Sequence, residues 1–268
     1  EILTTGAEVA LFEKKFAEYL NVKHVIGLQS CTAALHLGLE AFNFPEGSEV
    51  ITTPLTYIAT ALSILQARLT PVFCDVDINT GNIDIDQIET LITNKTVAVM
   101  PVHLYGQMID VERLKNLCST YNLKCIEDSA HCVEGSWNSY QPASLSDAAC
   151  FSFYATKNLT CGEGGCLATN SDFVAKKLRL LRSHGVTKLA YDRHREGYSH
   201  WDLELNGWKY NLDNISASIL LPQLNQIEDK LARREHLCQH YEDAFSEVSG
   251  IKSFKINKLV KHARHLYP

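Results

Sequence analysis

The sequence predicts an α/β protein with three layers, in which helices cover both faces of a mostly parallel seven-stranded sheet. Two observations lead to this fold class. Short apolar segments alternate with helix-like segments along the chain, as crossover connections between parallel strands require. Several of the short segments are apolar on both faces, which is typical of strands covered by helices on both sides. The 268 residues are 46 % hydrophobic and 21 % charged, which argues against intrinsic disorder.

The predicted elements follow one another in a regular order. The first is a helix over residues 8–20, in which Val9, Phe12, Phe16 and Tyr19 fall on one face. Short apolar runs then predict the seven strands, at 24–28, 48–52, 71–75, 96–102, 123–127, 148–154 and 165–169. Helical patterns lie between the strands at 31–43, 56–67, 86–93 and 110–121.

The chain becomes helical in its last third, and its end predicts a second unit. Residues 211–247 form a helical pattern in which Pro222 should kink the helix or end a turn. Residues 226–268 carry 8 basic and 6 acidic residues, which is a net charge of +2. Because the net charge of the whole chain is −6, the preceding residues carry a net charge of −8. This shift predicts a large domain over 1–225, then a linker helix and the beginning of a smaller α+β domain over 226–268. We also expect the chain to be part of a longer protein, because it does not begin with Met and stops within an apolar stretch.

Composition and charge exclude several classes of protein. The net charge of −6 leaves no basic surplus for a phosphate backbone, so no nucleic-acid partner is predicted. The nine cysteines include no CxxC pair, which excludes zinc ribbons and dithiol redox motifs, and no metal site is predicted. Cysteines within apolar runs are typical of buried free thiols in a reducing compartment, which favours the cytoplasm. No apolar stretch is long enough for a transmembrane helix, so no membrane partner is predicted.

Residues that directly follow three of the predicted strands could carry chemistry, because ligands of open α/β sheets bind at the carboxyl ends of the strands. Ser30 and Thr32 precede a helix whose free N–H groups suit a phosphate, although either could be a plain helix cap. Asp128 ends an apolar strand near His131 and could be a base, a metal ligand, a partner for a ring nitrogen or only a cap. Lys157 follows a buried strand, where burial would free its amine for imine chemistry; a solvated loop lysine is the alternative.

These three signals are stronger together than alone, since all lie at one edge of the same predicted sheet. A phosphate cradle, an acid and an amine are what pyridoxal 5'-phosphate (PLP) requires. The amine binds the aldehyde, and the acid keeps the pyridine nitrogen protonated so that the ring can accept electrons. The segment around Lys157 lacks GxxxxGK, so a nucleotide-binding P-loop is not supported.

Eight segments carry a family resemblance, in an order and spacing that span nearly the whole chain. They are TTGAEVALFEKKFAEYL, SCTAALHLGLEA, EVITTPLTYIATA, PVFCDVD, VHLYGQMID, IEDSAH, FSFYATKNLTCGEGG and GWKYNLDNISASI. Through them the chain resembles the PLP-dependent sugar aminotransferases of the DegT/StrS group. The resemblance implies the aspartate aminotransferase fold, also called fold type I, with residues 1–225 as its PLP-binding domain.

The resemblance implies roles for the residues around the cofactor ring. Lys157 in YATKN is the expected Schiff-base lysine and, once released, the group that moves a proton between the sugar carbon and the cofactor carbon. Asp128 in IEDSAH is expected to pair with the pyridine nitrogen, and His131 to lie beside the ring hydroxyl. Tyr57 in LTYIAT is expected to stack on the ring face, with core packing as its alternative.

The resemblance also implies how the phosphate is bound. Cys31 and Thr32 would bind it through backbone N–H groups and a hydroxyl, and Ser152 would contact the same phosphate; Ser152 could instead satisfy a neighbouring backbone group. Asn211 in KYN would reach the phosphate of the partner subunit, so the active unit would be a homodimer. As an alternative, Asn211 could merely cap the next helix. His103 and His184 are set aside, because a lone histidine is more often structural.

The activity that the resemblance implies is amino-group transfer, usually from glutamate, to a keto sugar linked to a nucleotide. Surface polysaccharides, glycans and antibiotics are the common destinations of such amino sugars. A related branch of the family has histidine in place of the lysine and dehydrates its substrate, so Lys157 favours transamination. A dehydratase or other lyase with the same cofactor, a silent regulator on this fold and a binding module for anionic metabolites are the alternatives. Residues 186–202 predict a loop near the substrate, where Arg193 and Arg195 could face the diphosphate or simply be exposed.

Overall fold

The computed structural model describes residues 3–187 and 202–268. The helices are α1 Ala7–Leu20, α2 Cys31–Glu40, α3 Ala59–Gln66, α4 Ile85–Leu91, α5 Val111–Thr120, α6 Asp172–Leu181, α7 Asn214–Leu224 and α8 Ile227–Phe245, with a 3-10 turn at Leu104–Gly106. The strands are β1 His24–Leu28, β2 Glu49–Thr52, β3 Thr70–Phe73, β4 Thr96–Val99, β5 Lys124–Asp128, β6 Ser136–Trp137, β7 Ala148–Ser152, β8 Gly165–Thr169 and β9 Val260–Lys261.

Seven of these strands form the main sheet, in the order β1-β8-β7-β5-β4-β2-β3. Strand β8 runs antiparallel to both of its neighbours, whereas the other neighbouring pairs are parallel. The predicted α/β fold with a mostly parallel seven-stranded sheet is therefore confirmed. The largest difference in a strand boundary is at β4, which ends at Val99 rather than 102, because Pro101 has no N–H with which to extend the ladder.

Side chains on the two faces of the sheet build the outer layers. In β7, Ala148 and Cys150 pack with α2 and α6, whereas Ala149 and Phe151 point to the other face and pack with α1 and α7. Helices α4 and α5 cover this second face under β2 and β4. All residues of β7 and β8 are buried, as expected for strands covered on both sides.

The helical end of the chain is divided differently from the predicted 211–247 helix. Helix α7 begins after Asp213, whose side chain accepts a hydrogen bond from the N–H of Ser216 at 2.8 Å, and it continues through Pro222. The break between α7 and α8 comes within one turn after this proline, which lacks the N–H of a regular helix. Strand β9 pairs with β6 in a small antiparallel ribbon that sequence reasoning missed.

Two further expectations concern parts of the chain rather than the sheet. The division into domains at residue 226 stays a prediction. The expected substrate loop at 186–202, with Arg193 and Arg195, lies almost entirely outside the described residues. Within residues 3–187 and 202–268, none of the helices has the length and apolar composition that crossing a bilayer requires.

Candidate active site

A cleft of about 740 Å³ opens at the carboxyl ends of the parallel strands, a size typical of sites for small ligands. Parallel strands bring residues from distant parts of the chain to one sheet edge, and this edge is where ligands of open α/β folds bind. Seven predicted site residues line the cleft: Cys31, Thr32, Tyr57, Asp128, His131, Ser152 and Lys157.

Helix α2 directs its N-terminus towards this cleft. Ser30 caps the helix, since its Oγ accepts a hydrogen bond from the N–H of Ala33 at 3.1 Å. The first N–H groups of a helix have no partner within it, so those of Cys31 and Thr32 can bind an anion. Gly165 permits the close packing of β8 here, because a Cβ would lie 2.5 Å from the nitrogen of Cys31.

Asp128 is 5 % exposed, and two hydrogen bonds fix its carboxylate. Oδ2 accepts from the hydroxyl of Thr60 at 2.8 Å, and Oδ1 accepts from the N–H of Ala130 at 3.1 Å. Burial raises the pKa of Asp128, while these hydrogen bonds and the positive charge of Lys157 oppose the rise. The site thus holds an oriented, buried acid, as a protonated ring nitrogen requires.

Lys157 lies in the turn after β7, where its backbone N–H donates to the carbonyl of Tyr154 at 2.9 Å. Burial lowers the pKa of its ammonium group, and the nearby Cys31 and Asp128 oppose this change. A lower pKa increases the fraction of neutral amine, which is the form that attacks a carbonyl carbon. Lys157 is half-buried and lines the cleft, which favours the chemical role over that of a solvated loop lysine.

His131 is a neutral imidazole at the same cleft. Burial is the main cause that lowers its pKa to about 3, and the charges of Lys157 and His265 add to the effect. Its Nδ1 accepts a hydrogen bond from the N–H of Tyr105 at 3.3 Å. The ring also stacks on that of His265, with the two centroids 4.4 Å apart.

Tyr57 and Ser152 occupy the mouth and the floor of the cleft. Tyr57 is 75 % exposed, so the alternative of core packing is wrong and its ring is free to cover a ligand. Ser152 is buried, and its Oγ accepts a hydrogen bond from the N–H of Tyr154 at 3.4 Å. Ser152 therefore does satisfy a neighbouring backbone group, which is its alternative role. Its hydroxyl can still donate its proton to a phosphate.

Asn211 does not line the cleft. Its Nδ2 donates to the hydroxyl of Thr5 at 2.7 Å, and its Oδ1 accepts from Lys209. Asp213 caps the following helix, so the alternative of Asn211 as the cap is wrong. The predicted reach of Asn211 into a partner's site concerns a second subunit and stays a prediction.

Sequence reasoning missed two neighbours of the predicted residues, Thr60 and Tyr105. Thr60 lies in the first turn of α3, three residues after Tyr57, and its hydroxyl contacts the carbonyl of Tyr57, so the short spacing could have placed the two residues near one another. Tyr105 contacts His131 through its backbone N–H and through its ring, which stacks on the imidazole with centroids 6.2 Å apart. Periodicity along the chain does not reveal this contact, because the two residues are 26 positions apart.

The residues of the cleft fit PLP in charge, chemistry and space. The N-terminus of α2 suits its phosphate, the buried Asp128 suits its ring nitrogen, and the amine of Lys157 suits its aldehyde. With the three-layer sheet, this set of groups defines an enzyme of the aminotransferase fold.

The chain belongs to the DegT/DnrJ/EryC1/StrS aminotransferase family, whose sequence model matches residues 1–268. It is 40 % identical over 266 residues to the spore coat polysaccharide biosynthesis protein SpsC of Bacillus subtilis, covering 99 % of this chain and 68 % of SpsC. It is 41 % identical over 249 residues to the GDP-perosamine synthase of Caulobacter vibrioides, covering 93 % of this chain and 65 % of that enzyme.

A solved structure supports the same assignment. Spr1654 of Streptococcus pneumoniae, assigned as a sugar aminotransferase and solved in its PLP form, matches with a TM-score of 0.89 at 30 % identity. The match covers 99 % of this chain and 71 % of that one. The chain thus spans about two thirds of the length of these proteins. The family and this neighbour indicate that the chain comes from a PLP-dependent sugar aminotransferase.

Proposed function

We propose that this chain carries the cofactor site of an aminotransferase that uses PLP to move an amino group from glutamate to the keto group of a nucleotide-linked sugar. The observation that carries the proposal is the meeting of Lys157 and Asp128 in one cleft with the N-terminus of α2. An amine with a lowered pKa and a buried acid with a raised pKa are a combination typical of catalytic sites.

When bound, PLP would supply an aldehyde carbon that receives the amino group and a ring that accepts electrons from the substrate carbon. The N–H groups of Cys31 and Thr32 and the hydroxyl of Ser152 would bind the phosphate. Asp128 would keep a proton on the ring nitrogen, and the hydrogen bond from Thr60 would hold the carboxylate in the orientation for this.

Lys157 would bind the aldehyde and later move protons. Its neutral amine can accept a proton from a substrate carbon and return it, as a general base and acid must. His131 stays uncharged beside it, so no second positive charge competes for Asp128. The exposed ring of Tyr57 would cover the cofactor and exclude water from one side.

The identity of the substrate rests on the relatives. One is a GDP-perosamine synthase and another takes part in polysaccharide biosynthesis, which supports a sugar carried by a nucleotide as the amino acceptor. Glutamate as the donor follows from the family resemblance. All nine cysteines are free thiols, and all but Cys161 are buried, which supports a reducing cytoplasm as the site of the reaction.

An apolar helix face supports the proposed homodimer. Ile58, Leu62 and Leu65 are 58 %, 41 % and 54 % exposed, and their spacing places them on one face at and along α3. This face adjoins Tyr57 at the cleft mouth, so a second copy covering it would lie beside the cleft. Leu62→Glu should therefore shift the sedimenting species from dimer to monomer; an unchanged dimer would contradict this interface.

The cofactor assignment is tested by incubating the protein with PLP and recording its visible absorption before and after borohydride. Wild type should turn yellow and bleach on reduction, and the reduced cofactor should stay attached to the peptide that contains Lys157. Lys157→Ala should show no such attachment. Lys177→Ala is the matched control, because burial also lowers the pKa of Lys177 although this lysine lies on α6 and donates to the carbonyl of Ala41.

The transfer itself is tested with a panel of nucleotide-linked 3-keto and 4-keto sugars in the presence of glutamate. Formation of 2-oxoglutarate together with an amino sugar would support the proposed reaction. A protein that binds PLP through Lys157 but forms no 2-oxoglutarate with any of these sugars would instead favour a lyase or a silent regulator.

A further inference from the structure

The segment after α8 reaches the wall of the cleft, although it belongs to the predicted second unit. The N–H of Ala263 donates to the carbonyl of Gly106 at 2.8 Å, and the N–H of His265 donates to the carbonyl of Tyr105 at 3.1 Å. These bonds fix the segment beside the 3-10 turn, whose Tyr105 also contacts His131. His265 is thereby placed against the imidazole of His131, with centroids 4.4 Å apart and planes inclined by 28°.

Gly106 makes this close approach possible. Its φ of +105° lies in the region that favours glycine. A Cβ at this position would lie 3.0 Å from Cβ of Ala263 and 3.1 Å from both the nitrogen of Arg264 and the carbonyl oxygen of His131. A side chain there would push the C-terminal segment away from His131, so the contact between the two histidines depends on this glycine.

Asn158, the residue after Lys157, holds the neutral ring of His265 in one tautomer. Its Nδ2 donates to Oε2 of Glu134 and to the carbonyl of Ala263, both at 2.9 Å. Its Oδ1 is thereby directed to Nδ1 of His265, 3.2 Å away, and an amide oxygen only accepts hydrogen bonds. Nδ1 of His265 must therefore carry the proton, and its Nε2 is an acceptor.

His131 has the opposite tautomer. Its Nδ1 accepts from the N–H of Tyr105, so the proton of the neutral ring is on Nε2. The titratable groups near the two rings are Lys157 and Asp128 in the same cleft, Tyr105 stacked on His131, and the Glu134–Arg234 ion pair behind Asn158. Burial lowers the pKa of His265 to about 4 and that of His131 to about 3, so both rings are neutral at pH 7.

We infer that His265 is a positioning residue, which acts through His131 by covering its imidazole and holding it as a neutral Nε2–H donor beside Lys157. The inference rests on the proposed function in one respect, which is that this function supplies the ligand that His131 would face. The C-terminal segment then completes the active site, because Asn158, which directly follows Lys157, bonds to Ala263 and His265 of this segment.

The proposal is tested by ¹⁵N NMR of the imidazole nitrogens, in the whole protein without cofactor, between pH 8 and 4. His265→Ala and His265→Asn remove the covering ring, whereas His265→Phe keeps a ring but loses the hydrogen bond to Asn158. With the ring removed, water should reach His131, so its affinity for a proton should rise by about tenfold or more, and its tautomers should mix. His265→Phe should keep His131 neutral throughout this range.

Two results would overturn the inference. One is a folded His265→Ala or His265→Asn protein in which His131 keeps its tautomer and does not titrate more readily. The other is His265→Phe behaving like the alanine variant, which would mean that the ring contact does not protect His131. Because PLP is absent from the measurement, failure here is distinct from failure of the cofactor assignment.

Discussion

Two groups of buried charges lie at different places in the molecule and are balanced differently. At the edge strand β1, Glu13 accepts from the N–H of Gly27 at 2.8 Å, Arg182 donates to the carbonyl of Gly27 at 2.9 Å, and the two side chains bond to each other. In the cleft, burial dominates instead. It lowers the pKa of Lys157 and raises that of Asp128, although each charge favours the other.

This difference shows that the Glu13–Arg182 cluster stabilises the fold, whereas the charged residues of the cleft are prepared for chemistry. Glu13 and Arg182 satisfy backbone groups that an edge strand would otherwise leave open, and their charges cancel. The cleft keeps a desolvation cost that its own residues do not offset, which is typical of sites prepared for a ligand. A change in the cleft should therefore alter chemistry and leave the fold intact, whereas a change at Glu13 should do the reverse.

The largest effect is expected at Lys157. Lys157→Ala should lower the rate of amino transfer by about 10²–10⁴-fold, because the general acid and base is lost. Its free energy of unfolding should not fall by more than about 1 kcal/mol, since the change removes a desolvated amine rather than a packed core group. Rates of 2-oxoglutarate formation and urea unfolding curves measure the two. A rate within tenfold of wild type would remove Lys157 from the mechanism.

The reverse result is expected at Glu13. Glu13→Ala should lower the free energy of unfolding by about 3–5 kcal/mol, because it leaves Arg182 buried without its partner. Glu18→Ala is the matched control on the same helix: Glu18 is exposed, its ion pair with Lys14 spans 4.0 Å, and its loss should cost less than about 1 kcal/mol. Urea unfolding measures both variants. If the free energy of unfolding falls equally in the two, the Glu13–Arg182 pair contributes no more to stability than an exposed ion pair.

The two groups also differ in how far the sequence predicts them. Asp128 is the last residue of the apolar strand β5, and Lys157 lies in the turn after the apolar strand β7, so a local pattern places both at one sheet edge. The Glu13–Arg182 pair joins two helices on opposite faces of the sheet, and His265 meets His131 from the other end of the chain. Such contacts depend on how elements pack in space, and neither residue type nor periodicity along the chain specifies the partner.

We expect a fall in pH to destabilise the folded protein through the buried histidines of the cleft, as the pKa of His131 shows. Its pKa is about 3 in the folded protein and ordinarily 6.5, so the unfolded chain binds the proton more readily. The stability that the neutral ring contributes is complete above pH 6.5 and is lost as the pH falls, by about 2 kcal/mol between pH 7 and 5. His131→Gln should flatten this dependence in urea unfolding across that range. An unchanged pH dependence would show that His131 is not held neutral.

The smallest effect is expected at Thr60, which ties Asp128 to α3. Thr60→Val keeps the shape of the side chain but removes the hydroxyl that donates to Oδ2, and should lower the free energy of unfolding at pH 7 by about 1 kcal/mol. Since that bond favours the ionised acid, its loss should raise the pKa of Asp128 further. The acidic limb of the pH profile for PLP binding should therefore move to higher pH.

Thr60→Ser separates the hydroxyl from the methyl group of this side chain. Serine keeps the donor, so the acidic limb should return to its wild-type position even if the lost methyl costs some stability. If serine and valine shift the limb equally, packing of α3 orients Asp128, and the hydrogen bond does not. If only valine shifts it, the hydroxyl of Thr60 orients Asp128. The hydrogen bonds to this acid then come from neutral donors, whereas Glu13 is held by the opposite charge of Arg182, so Asp128 stays free to meet the charge of a ligand.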